Sequence, residues 1–132
     1  MSQNNVLIAE AYYNAVGEKN VALLEKYLHP DVQFIGPLAK MTGRENVLEA
    51  TKKFTNLFTT LTVRSKFGLD DQTMIVYDLE VPPPIGFVSS ASLMTFKDGL
   101  VIKIELFYDA RPFESQREQI FDSKSTIRTG TP

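Results

Sequence analysis

The sequence predicts an α+β fold, with three N-terminal helices packed on one face of a curved, mostly antiparallel sheet. Three observations carry that expectation. Helical periodicity is confined to the stretch before Phe58. Two-residue alternation of apolar and polar side chains dominates from Leu61 to Asp109. Lys97-Asp98-Gly99 separates two strand-length apolar runs, as a hairpin turn does. Helices segregated to one sheet face give a two-layer domain. A curved sheet wrapped over them leaves a cone with a small apolar cavity at one end.

Ser2 can cap a first helix running to about Val16. Val6, Ala9, Tyr13 and Val16 form one stripe, and Ile8, Tyr12 and Ala15 its neighbour. Gly17 and Lys19-Asn20 end it. Asn20 can cap a short second helix, Val21 to Leu28, with Leu24, Tyr27 and Leu28 inward. His29-Pro30-Asp31 stops that helix, because proline disfavours helical backbone at the preceding residue. Val32 to Ile35 reads as a short strand, and Gly36-Pro37 as a turn. Thr42 and Glu45 match a capping box opening a third helix to about Phe58. Its stripe is Val47, Thr51, Phe54 and Phe58.

The remaining elements are strands. Leu61, Val63, Ser65 and Phe67 share one face of the next run, and Asp70-Asp71 turns the chain. Ile75, Tyr77, Leu79 and Val81 then alternate with Met74, Val76, Asp78 and Glu80. The proline run Pro82-Pro83-Pro84 lacks the N–H groups a ladder needs and connects into the central hairpin. There, a three-residue loop with Gly99 left-handed would pair Phe96 with Leu100, Ser92 with Ile104 and Ser90 with Leu106. That register gathers Leu100, Ile102, Ile104, Leu106 and Tyr108 on the buried face and turns Val101, Lys103, Glu105, Phe107 and Asp109 outward. A two-residue loop would instead pair Ser92 with Glu105. The first register is preferred, and it points Ser90 and Ser92 inward. Residues 1–113 are read as one domain and 114–132 as a polar C-terminal extension, for which Phe113, Ile120, Phe121 and Ile127 are the available anchors.

Composition narrows the function. The chain has 132 residues, 43% hydrophobic and 23% charged, with a formal net charge of -2. These values suit one soluble domain and give no support to nucleic-acid binding. Arg44, Lys52, Lys53, Arg64 and Lys66 read as solvated positions. With no cysteine and one histidine, disulfides, thiolate chemistry and a multi-histidine metal site are excluded within one chain. No metal and no cofactor are expected. Neither a signal peptide nor a membrane span is visible, so the expected location is cytoplasmic, with no membrane partner.

The order helix, helix, HPDVQFIGP, TGRENVLEA, hairpins and a closing IELFYD resembles the nuclear transport factor 2-like superfamily, in particular its SnoaL-like branch, over about residues 5–113. The resemblance implies a cone-shaped, cystatin-like α+β barrel and a homodimer through the convex sheet face; read from the residues, Asp78 or Glu80 could meet Arg64 or Lys66 across such an interface. It also implies relatives that include ketosteroid isomerases and polyketide cyclases. Laid on the isomerase pattern, the oxyanion-hole tyrosine falls on Tyr12 and the late aromatic on Tyr108. The general-base aspartate falls on Gly36 and the protonated aspartate on Ser92, so both carboxylates are missing. Ser92 can donate a hydrogen bond but is no acid of comparable strength. Glu105 and Asp109 are the acids nearest the position that polyketide cyclases use.

The candidate catalytic set is therefore Tyr12, Ser92 and Asp109. The candidate ligand-binding set is Tyr27, Phe34, Tyr77, Ser90, Leu106 and Tyr108. Each has a plainer role available. Tyr12, Tyr77 and Tyr108 can be core aromatics, the serines small fillers, and Asp109 a cap on the Arg111-Pro112 turn. His29 can serve as a base at the cavity mouth or simply as part of a helix stop. Two functional readings follow: a protein binding a small, mostly apolar ligand, whose chemistry, if any, is cofactor-free isomerisation, cyclisation or dehydration; or a non-catalytic dimerisation or protein-interaction module of the same fold.

Overall fold

A computed structural model describes residues 2–116, with side chains for 4–114. The Ser2 cap and the anchors Ile120, Phe121 and Ile127 lie outside the described side chains, as does most of the 114–132 extension. Helix α1 spans Ser2–Gly17, a 3₁₀ turn Val21–Tyr27, and helix α2 Arg44–Thr55. The strands are β1 Leu28–Ile35, β2 Lys40–Thr42, β3 Thr60–Leu69, β4 Gln72–Val81, β5 Gly86–Lys97 and β6 Leu100–Tyr108. A second 3₁₀ turn, Arg111–Gln116, follows the last strand. One open sheet holds all six strands in the order β2-β1-β6-β5-β4-β3. Every pairing is antiparallel except β1 with β6, which is parallel. The expected α+β fold of three helices on a curved sheet is the observed one.

The two stripes of α1 supply much of the core. Ala9, Tyr12, Tyr13, Ala15 and Val16 are buried against Ile75, Tyr77 and Leu79 of β4 and Met94 of β5. Leu24 and Leu28, both fully buried, join the same core. Lys19, at positive φ just past the helix, donates from Nζ to the Phe58 carbonyl at 2.6 Å and lies over the Phe58 ring.

Several local expectations are corrected, each for a physical reason. The hairpin closes through a two-residue Asp98-Gly99 loop, both residues at positive φ, with Lys97 opposite Leu100 and Phe96 opposite Val101. Two left-handed residues match the twist of the flanking strands. A one-residue bulge at Ile102 then shifts the ladder, so Ser92 pairs with Leu106 and Ser90 with Tyr108. The two-residue loop sets Val101 inward opposite Phe96, fully buried, and the bulge keeps Ile104 inward as well. Ser92 still faces the core, while Glu105 pairs with Leu93 on the outer face.

A second bulge, at Arg64, acts the same way on β3. Beyond it Lys66 lies on the helix side, where its Nζ meets Glu10 of α1 at 2.9 Å, and Phe67 turns outward and is 62% exposed. Arg64 reaches Asp78 of its own chain at 3.4 Å. The capping box does not form. Gly43, at φ 104°, is the N-cap of α2 and carries no side chain to bond, while Asn46 Nδ2 donates to the Thr42 carbonyl. Helix α2 also ends at Thr55 rather than near Phe58. The strand expected at Val32 begins earlier, at Leu28, through an irregular stretch containing Pro30.

Thr73 faces inward on β4 between Gly68 and Met94, is 1% exposed, and its hydroxyl has no hydrogen-bond partner among the described residues. A buried unpaired hydroxyl costs about 1–3 kcal/mol. Thr73→Val keeps the shape and removes that cost. Urea unfolding should show the variant more stable by about 1 kcal/mol with an unchanged m-value; a loss of stability would mean that the hydroxyl is satisfied.

Candidate functional site

An apolar cavity, partly open to solvent, lies between the C-terminal half of α1, the middle of α2 and the inner face of β4, β5 and β6. About 50 Å³ of it is open to water centres. At roughly 10–15 Å³ per water, that holds a handful of solvent molecules or a comparably small ligand. Of the residues expected there, Tyr12, Phe34, Tyr77, Ser90, Leu106 and Tyr108 line it. Tyr13, Thr51, Phe54 and Phe113 line it as well, with Val16, Ala50, Leu79 and Val88 completing the wall. Thr51 and Phe54 belong to the apolar stripe of α2 and Tyr13 to that of α1, so periodicity alone marks them as inward. Nothing local separates a cavity wall from plain core.

Four tyrosines dominate this wall. Tyr13 stacks on Tyr77 with ring centroids 4.8 Å apart and meets Tyr12 edge-on at 5.2 Å. Three of their hydroxyls have a polar side chain beside them. Tyr13 donates to Ser92 Oγ at 2.7 Å, which ties α1 to the centre of β5. The Tyr77 hydroxyl lies beside Ser90 and the Tyr12 hydroxyl beside Thr51, whose own hydroxyl donates to the Val47 carbonyl at 2.8 Å. Tyr108 differs. It is half-buried at the end of β6, and its hydroxyl has no hydrogen-bond partner among the described residues.

The other candidates stand elsewhere. Ser92 is fully buried behind Tyr13 and does not reach the cavity. Tyr27 packs behind Tyr12, centroids 6.4 Å apart, outside the lining. Asp109 is exposed. Its carboxylate accepts from the Arg111 backbone N–H at 3.1 Å and from the guanidinium at 2.9 and 2.7 Å. Those hydrogen bonds, with the positive charge behind them, hold its pKa down at about 2. His29 accepts from the Asp31 N–H at its Nδ1, 3.0 Å away, bracing the turn around Pro30. Gly36 borders the cavity without entering it: a Cβ there would stand 3.4 Å from the Phe34 ring and 3.7 Å from Leu106 Cβ.

The site is therefore apolar, small and hydroxyl-bearing, with no carboxylate, imidazole or amine among the described residues that line it. No group of three or more His, Cys, Asp or Glu among the described residues is placed to hold a metal ion. Burial pushes all four tyrosines upward, Tyr108 to about 12, with Glu114's negative charge adding to the shift there. They act as neutral donors and acceptors, not bases, at any ordinary pH.

Raised phenol pKa values make folding sensitive to alkali. Their contribution is fully present below the unfolded value near 10 and is lost as pH climbs toward the folded values. Absorbance at 295 nm should thus show these four phenols still neutral in the folded protein at about pH 10, with their ionisation accompanying unfolding as pH rises further. Reversible ionisation of all the tyrosines near pH 10 with circular dichroism unchanged would contradict the buried cluster.

Comparison with known proteins places this geometry. No curated protein sequence matches the chain. Among solved structures, a de novo designed protein with a curved β-sheet aligns with TM-score 0.82 at 18% identity, over 93% of this chain and 99% of its own. A nuclear transport factor 2-like protein of unknown function from Cytophaga hutchinsonii aligns at 0.70 and 18%, over 80% and 90%. A steroid delta-isomerase from Pseudomonas aeruginosa aligns at 0.72 and 14%, over 91% and 88%. At these identities the likeness concerns the fold alone. The profile of the SnoaL-like domain matches residues 9–104, and the chain belongs to that family.

Proposed function

We propose that this protein binds a small, mostly apolar molecule carrying one or two oxygens in the cone cavity. The observation behind this reading is an apolar pocket whose polar groups are neutral hydroxyls, one of which, on Tyr108, has no hydrogen-bond partner among the described residues. Such a donor suits a carbonyl or ether oxygen, and the surrounding aromatic wall suits a hydrocarbon ring. Tyr12, Tyr77 and Ser90 add orientation through hydroxyls that can accept or donate on exchange with their present partners.

Catalysis, where it occurs, is limited by the same residues. A neutral tyrosine can polarise a carbonyl or stabilise an enolate oxygen. Proton abstraction needs a base, and the lining supplies none. Cofactor-free isomerisation, cyclisation or dehydration would have to draw its base from the mouth, where Asp109 is held ionised but engaged with Arg111, and where Glu114 acts electrostatically on Tyr108.

The alternative, an interaction module, has its own observation. The outer face of the sheet presents Phe67, Met74 and Leu93 across three paired strands, flanked by Val76, Ala91 and Phe107. Phe67, Phe87 and Phe107 are more than half exposed. A patch of this kind favours pairing with a second copy, and both functions are compatible in one dimer.

Titration with cyclohexanone, followed by NMR, tests the ligand reading. Tyr108→Phe should weaken binding about 5–10-fold, the worth of one hydrogen bond, and leave methylcyclohexane binding unchanged. Equal losses for ketone and hydrocarbon, or no binding of either, would count against it.

A further inference from the structure

Resting on the ligand reading, we infer that Phe113 sets the upper size of the ligand, and that Asp109 and Arg111 act as positioning residues for it. The chain leaves β6 at Tyr108, beside the cavity, and would continue into solvent. It turns back instead. Phe113 is 3% exposed although its neighbours Arg111, Pro112 and Glu114 are all exposed. Its ring meets the Tyr108 ring edge-on, centroids 5.6 Å apart, and both rings line the cavity. A buried aromatic in an otherwise polar, exposed turn is placed there by its contact with the cavity. Phe113 is thus the wall that comes from outside the helix–sheet layers.

Two local interactions hold the turn. The Phe113 N–H donates to the Ala110 carbonyl at 2.9 Å. The Asp109 carboxylate takes three hydrogen bonds from Arg111, one from its backbone and two from its guanidinium. This clasp spans the two residues between the strand end and the turn, and it bends the chain over Tyr108. It is solvent-exposed, with Arg111 the more open partner. An exposed clasp contributes modestly to stability, so the closure can be opened without unfolding the cone. The remaining walls belong to α1, α2 and the sheet, whose packing is the core itself. The Ala110–Glu114 stretch is the part of the enclosure that can be changed at least cost to the fold.

Removing the Phe113 ring should let a second ring in beside Tyr108. The test compares cyclohexanone with 1-tetralone, a bicyclic ketone, on the wild-type chain, Phe113→Ala, Phe113→Leu and Arg111→Ala. The 1-tetralone affinity relative to cyclohexanone should rise about 10-fold or more in Phe113→Ala, as expected from the extra apolar surface buried. Phe113→Leu should give a smaller rise and serves if the alanine variant folds poorly. Arg111→Ala should shift the same ratio in the same direction, an effect that a general loss of stability would not produce. Acrylamide quenching of tyrosine fluorescence gives a readout independent of any ketone. The chain has no tryptophan, and quenching should rise about twofold as local opening exposes the cavity rings. An unchanged ratio with cyclohexanone still bound would overturn the role of Phe113. Should neither ketone bind any of the proteins, the ligand reading fails. Quenching then decides the closure alone: a rise supports it and no change overturns it.

Discussion

The hydrogen bond from Tyr13 to Ser92 joins the two layers of this protein at their centre. Both groups are buried, and neither can leave its partner without losing a hydrogen bond that water no longer supplies. Tyr13 therefore fixes the rotation of α1 on the sheet. That rotation puts Tyr12 beside Thr51 of α2 and the Tyr13 ring on Tyr77. The cavity is what remains between these aromatics. Its chemistry follows from the same constraint: the Tyr13 hydroxyl that holds the layers together is spent on Ser92, and the Tyr108 hydroxyl at the edge has no hydrogen-bond partner among the described residues. Ser92, which occupies an acid's place in the resemblance to ketosteroid isomerases, works here as a structural acceptor.

Much of this was legible in the sequence because it depends on local periodicity. The paired stripes of α1 named Tyr12 and Tyr13 as inward, the stripe of α2 named Val47 and Thr51, and alternation named Ile75, Tyr77 and Leu79. Features that depend on contacts distant in sequence were not legible. The bulges at Arg64 and Ile102 add one residue each and reverse which side chains face the core, so Phe67 and Val101 exchange the faces that simple alternation gives them. The parallel pairing of β1 with β6 joins segments about seventy residues apart and leaves no local pattern. Thr42 matched a cap by spacing, but the chain enters α2 through Gly43 at positive φ, one residue later. The inward set of serines survived the error in pairing because loop and bulge each move the register by one residue.

The candidate site was legible in part for a related reason. Facing inward can be read from a strand; bordering empty space cannot. Tyr77, Ser90, Leu106 and Tyr108 share the cavity, whereas Ser92, two residues along β5 from Ser90, sits under the Tyr13 hydroxyl. Phe113 lies in a polar segment with no period to mark it, and only its burial shows that it belongs to the wall. The likeness to a designed protein with a curved β-sheet concerns the architecture alone. A shared fold therefore leaves the function of this chain to be argued from its own side chains.

The account depends most on the Tyr13–Ser92 hydrogen bond, and a double-mutant cycle measures it directly. Tyr13→Phe and Ser92→Ala should each cost about 1–3 kcal/mol, since each leaves a buried group unpaired. The double variant should cost clearly less than their sum, with a coupling of about 1 kcal/mol or more. Additive losses would contradict the account, because the two groups would then be buried independently and the orientation of α1 on the sheet would need another cause.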